Sequence, residues 1–177
     1  MQPGINWGHM IMTDEQIVQF WGQDALVRWR PDVLAMTELP DEAKEFLARV
    51  GLPRGVDWTM RFDLEMERPR WLKEHPGYCI IGHDDVAAIC LDENDGRVVS
   101  IEPGGRKRFM NSNVKLFGEF LALYQQYRLR ARKLDDEAVK SVITEVEQQM
   151  TARDSASFSG TECWWPIILE QMKAGLL

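Results

Sequence analysis

The sequence predicts an α+β chain from three observations. Apolar residues recur at helical spacing near both ends, they alternate with polar neighbours from Val56 to Met66, and they form short runs separated by turn residues from there to Met110. The first expected helix starts at Thr13, whose hydroxyl can accept from free backbone N–H groups. Gln16 stands at the capping-box position, and Asp14 and Glu15 face the positive helix end. Ile17, Val18, Trp21 and Ala25 follow at helical spacing, and Pro31 sets the expected end near Arg30. The second helix has Pro40 in its first turn and a stripe of Ala43, Phe46, Leu47 and Val50. Gly51 supplies a left-handed stop, and Pro53 confirms the break.

From Val56 the period becomes two. Val56, Trp58, Met60, Phe62, Leu64 and Met66 predict one strand with a single buried face. Arg68 to Gly77 reads as a connection containing proline, followed by strands at Tyr78 to Gly82 and Val86 to Leu91. Both alternate sets of the latter are apolar, so both of its faces should be covered. Asn94-Asp95-Gly96 marks a turn into Arg97 to Ile101, and Pro103-Gly104-Gly105 marks another before a short strand at Arg108 to Met110. Residues 56 to 110 therefore read as an antiparallel meander of about four to five strands.

Helices return at the C-terminal end. Asn111 or Ser112 can cap one carrying Val114, Phe117, Leu121 and Tyr124, with Arg128, Arg130, Arg132 and Lys133 near its negative end. The next begins at Asp135 and carries Val139, Val142, Ile143, Val146 and Met150. Thr151 to Gly160 is expected to be a polar, mobile loop. A last helix then holds Trp164, Trp165, Ile168, Leu169 and Met172 before Gly175.

Composition bounds the function. A chain of 177 residues with 45% hydrophobic and 10% aromatic residues suffices for a single domain over 1–177, with Met1 to Met12 a loose lead-in. No apolar run approaches the roughly 20 residues that cross a bilayer, and the N-terminus lacks the pattern of a signal peptide, so a cytoplasmic location is expected. A net charge of −7 argues against nucleic-acid binding, and a charged partner should be basic. Three cysteines, Cys79, Cys90 and Cys163, show neither disulfide nor zinc spacing and are expected as reduced core thiols. Cys79 and Cys90 would share a sheet face if the loop between their strands has an even number of residues.

No constellation for catalysis emerges, and no catalytic residue, cofactor site or metal site is assigned. GxSxG, Walker and strand-linked GxGxxG patterns are missing, and Gly104-Gly105 sits where a turn is needed. Asp92 to Gly96 superficially resembles a calcium loop, yet its glycine comes one place early and no glutamate stands at the twelfth position. His83-Asp84-Asp85 reads either as an imidazole beside carboxylates, raw material for acid–base or metal chemistry, or as a polar hairpin tip. His9 and His75 are expected in loops. Trp164-Trp165 reads as core at helical spacing, with an aromatic ligand platform as the other reading. The candidate partner-binding residues are Asp84, Asp85, Asp92, Glu93 and Asp95, in the turns at the two ends of strand Val86 to Leu91. There is no Lys or Arg between Lys73 and Arg97. Such carboxylates can steer a basic partner; the other reading is two solvated turns.

The order of motifs resembles a known family. Phe46-Leu47-Ala48-Arg49-Val50-Gly51-Leu52-Pro53 resembles the FL..VGLP element of SUKH immunity proteins, particularly their fourth subgroup. Ile80-Ile81-Gly82, Ile89-Cys90-Leu91-Asp92 and Gly96-Arg97-Val98 resemble its IG, ICLD and G.V strands. Phe109-Met110-Asn111-Ser112 resembles its FVNSS, with Met110 and Asn113 as departures, and Trp164 to Met172 resembles its terminal helix. The resemblance runs from about Leu39 to Leu177. It implies a central antiparallel-rich sheet with helices around it, and a non-enzymatic role in neutralising a cognate protein toxin. Such toxins are frequently nucleases, and a basic one would suit this acidic chain, which is itself expected to be a monomer or homodimer. The alternative it carries is a non-catalytic regulatory or scaffold module of the same fold. A third, metal-dependent reading would rest on His83 and its neighbouring acids.

Overall fold

A computed structural model describes residues 12–56, 60–63 and 67–175. The expected lead-in before Met12, His9, and three positions of the alternating stretch, Trp58, Leu64 and Met66, lie outside the described residues. The helices are α1 (Asp14–Trp21), α2 (Pro31–Leu34), α3 (Asp41–Arg49), α4 (Val114–Ala131), α5 (Asp136–Arg153) and α6 (Trp164–Lys173). The strands are β1 (Leu26–Val27), β2 (Leu52–Pro53), β3 (Gly55–Val56), β4 (Met60–Phe62), β5 (Arg70–Leu72), β6 (His75–His83), β7 (Ala88–Asp92), β8 (Val98–Ile101) and β9 (Lys107–Asn111). The fold is α+β, as the sequence predicts.

Strands β3 to β9 form one curled antiparallel sheet in the order β3-β4-β6-β7-β8-β9, with β5 sharing the β4 edge of β6; β1 and β2 form a separate pair. This sheet is somewhat larger than the expected meander because the connection at 68–77 contributes β5 and the start of β6, and the stretch expected as one strand from Val56 is divided between β3 and β4. Register assigns the two faces. Cys79 lies opposite Leu91 and Leu91 opposite Val98, on the face that joins the main core; Ile80 lies opposite Cys90 and Cys90 opposite Val99, on the other. Cys79 and Cys90 thus sit on opposite faces of the sheet and cannot approach each other. All three cysteines are free and buried.

The main core fills the space between the inner sheet face and the helices. Its centre is α4, whose Phe117 meets Phe62 edge-on with ring centroids 5.7 Å apart and whose Phe120 meets Trp165 at 5.4 Å. Fully burying each such ring contributes about 1.5–3 kcal/mol.

Several expectations are corrected. The first helix starts with the capping box of Thr13 and Gln16 but ends at Trp21, far short of Arg30. Gly22 at φ 82° takes the chain out of the helix, and hydrogen bonds from Trp29 N to Leu47 O and Arg54 N to Ala25 O draw the following residues into β pairing. Pro31 opens α2 at its first position instead of closing a helix. The alternating stretch is a hairpin, not one strand: Val56 pairs with Met60 and Gly55 with Arg61. Its period survives the reversal because Val56, Met60 and Phe62 all face the core.

Gly51 does stop α3, at φ 79°, and a Cβ there would stand 2.0 Å from Val27 O, so glycine also lets β1 lie against β2. The cap of α4 is Asn113, whose side chain accepts from Leu116 N at 2.9 Å, and not Asn111 or Ser112. The expected mobile loop from Thr151 to Gly160 instead ends α5 at Arg153 and then forms a 3-10 turn over 155–158, anchored by buried Asp154 and Ser157.

Candidate interaction surface

The five predicted carboxylates stay in two groups at opposite ends of β7. In the 84–87 turn, Asp84 Oδ1 accepts from Val86 N at 2.8 Å and Ala87 N at 2.7 Å, while Asp85 is exposed. In the 92–97 turn, Asp92 Oδ1 accepts from Asn94 N and Asn94 Nδ2, both at 2.9 Å. Asp95 accepts from Arg97 N at 3.0 Å and pairs with the Arg97 guanidinium at 3.0 Å. Three of the five, Asp84, Asp92 and Asp95, therefore shape the local backbone as Asx-type turn residues. Acceptance from neutral N–H groups leaves the charges of Asp84 and Asp92 in place, whereas Asp95 is paired with the Arg97 guanidinium.

Glu93 does more than shape its turn. Its Oε1 accepts from Glu38 N at 2.9 Å and its Oε2 from Trp71 Nε1 at 2.9 Å, which ties β7, β5 and the segment before α3 together. Gly96 of the same turn lies against the ring of Pro40. Glu38 and Pro40, just before α3, are thereby brought against the 92–97 turn. Sequence reasoning missed these additions, because no local signal links positions some fifty residues apart. Exposed Met36 and Trp71 flank this region.

The candidates for chemistry find local explanations. His83 ends β6 beside the 84–87 turn and is exposed, and among the described residues no group of three His, Cys, Asp or Glu side chains could hold a metal ion. Burial pushes the Cys79 and Cys90 thiols up to about 12, the reverse of what a nucleophile needs. Gly104 and Gly105 close the β8–β9 turn, where Gly105 N donates to Glu102 O at 2.9 Å. Trp164 and Trp165 pack edge-on at 4.8 Å in the core.

Trp165 also has a polar role that its sequence neighbours did not reveal. Its Nε1 donates to Asn111 Oδ1 at 2.9 Å, and Asn111 Nδ2 donates to Asp154 Oδ2 at 3.2 Å. Asp154 further accepts from Ser112 N at 2.8 Å and Ser112 Oγ at 2.7 Å. This buried network joins β9, the 3-10 turn and α6, and it is scaffold: none of its members is exposed.

Comparison with known proteins rests on the whole chain more than on any one site. No curated protein and no solved structure matches the sequence. Among the described residues, no helix is long and apolar enough to cross a membrane. Residues 12–171 match the SUKH-4 immunity protein family, spanning every helix and strand of the fold up to the last turn of α6. The chain belongs to the SUKH-4 immunity protein family, within the SUKH superfamily.

Proposed function

We propose that this protein protects its cell by binding a cognate toxin in the cytoplasm and covering the toxin's active site or substrate groove, with no chemistry of its own. The family match over 12–171 carries the reading, because that family is one of immunity proteins. The chain's charge supports the choice of partner. At −7 overall, with the 84–87 and 92–97 turns holding carboxylates at both ends of β7, it favours encounter with a basic protein, as a nuclease that grips phosphates would be. Occlusion needs an interface of about 1,600 Å² in total, which a domain of this size can supply.

The partner is sought beside its own gene. Co-expression should rescue growth of cells making the toxin domain encoded next to it, and the purified pair should associate more slowly as salt rises from 50 to 500 mM, as steering across about a Debye length requires. Growth arrest despite full expression of the protein would contradict the reading. An association rate indifferent to salt would contradict its electrostatic part.

A further inference from the structure

The outer sheet face carries a second apolar cluster to which no helix contributes. Cys90, Val99 and Ile101 are buried there, with Tyr78, Ile80 and Ala88 partly covered. Two turns rise over this face. The 72–75 segment and the Glu102–Gly105 turn wall a hollow of about 430 Å³ whose floor is Ile80, Ala88 and Ile101. A shallower depression adjoins it, sharing Ile80, Val86 and Ala88 and reaching Asp84 and Asp85. Val86, at the junction, leaves 67% of its surface in water, the largest exposure among the big apolar side chains of the described residues.

We propose that this hollow is where the toxin docks, receiving a projecting loop that presents an apolar side chain flanked by Lys or Arg. The proposal deepens the function given above and rests on it. An apolar floor with an exposed valine at its mouth has the composition of an interface core inside a polar rim. Volume fits one or two large side chains. Charge selects the flanks: Glu74, Asp84, Asp85 and Glu102 line the two depressions against Arg70 and Lys73; Glu102 is paired with Arg108 at 3.0 Å and Arg70 with Asp63 at 3.4 Å, which leaves three acids against Lys73. The same charge disfavours a second copy of the chain, since a twofold contact would set each acidic rim against itself.

The test uses the purified toxin domain encoded by the adjacent gene and exposed positions whose side chains hold no structural hydrogen bond. Val86→Arg should raise Kd at least about 30-fold, the loss typical of a central interface side chain. Asp85→Lys should raise it about 10-fold, chiefly by slowing association, whereas Leu129→Arg on α4 should leave it unchanged. Equal affinity of all three variants would overturn the docking site and leave the toxin reading standing. If the unsubstituted protein fails to bind, both fall. If instead Val86→Arg abolishes self-association in sedimentation while toxin binding persists, a second copy occupies the hollow and the proposal is wrong.

Discussion

Asp154 shows what a single side chain contributes here. One buried carboxylate gathers the Ser112 N–H, the Ser112 hydroxyl and the Asn111 amide, while Asn111 in turn receives the indole N–H of Trp165. Nearby Ser157 Oγ, within hydrogen-bond distance of Asp154, lies 2.6 Å from Met110 O. Removing the carboxylate would strand donors that water reaches poorly, so Asp154→Ala should destabilise the fold by about 2–4 kcal/mol in urea titration with an unchanged m-value. A loss under about 0.5 kcal/mol would mean that water replaces it freely. The network also explains why the 151–160 segment misleads as sequence. Its Ser, Asp and Thr content reads as a solvated loop, but two of those residues face inward to satisfy β9.

Pairs of elements are held by less favourable means as well. Glu119 of α4 and Arg153 of α5 are almost wholly buried, with Arg153 Nε 3.6 Å from Glu119 Oε2, and Glu119 Oε1 has no hydrogen bond among the described residues. Burial raises the Glu119 carboxyl above the usual glutamate range, against the lowering influence of the Met12 N–H and Arg153, and burial likewise lowers Arg153. The folded state then holds the Glu119 proton more tightly than the unfolded chain does. Stability from this group is complete below the ordinary glutamate pKa and is lost as pH rises through the raised folded value. Measured in urea from pH 4 to 7, the stability of Glu119→Gln relative to the parent should therefore improve with pH. A difference that stays flat, or moves the other way, would show that the ion pair outweighs desolvation.

Legibility in the sequence follows the same division between local and distant causes. Helices α3, α5 and α6 and the capping box of α1 could be read because their signals are local: proline or aspartate at the start, glycine at a left-handed stop, a stripe at 3.6 spacing. Strands β1 and β2 are two residues long and exist through pairing with each other across some 25 residues, which no local pattern encodes, while β5 pairs with the adjoining β6 through a register shift that breaks any regular alternation. The hairpin of β3 and β4 was hidden by its own regularity, since a reversal that keeps Val56, Met60 and Phe62 inward preserves a period of two. For the surface, the acidic turns were legible as turns and as charge. Their contacts with Glu38, Pro40 and Trp71, and the hollow on the outer sheet face, depend on tertiary approach alone.

At the scale of the molecule, the main apolar core runs from Met12 to Met172, with a smaller cluster on the outer sheet face. Burial holds the Cys79 and Cys90 thiols protonated. Such a body is suited to act by contact. Protection by occlusion would be stoichiometric and reversible. Titrating the protein into a fixed concentration of its toxin, well above Kd, should abolish toxin activity at one equivalent, and separating the pair in high salt should return the toxin at its original mass with full activity. Inhibition at a small fraction of an equivalent, or a toxin recovered with altered mass and no activity, would show that the protein works by catalysis instead.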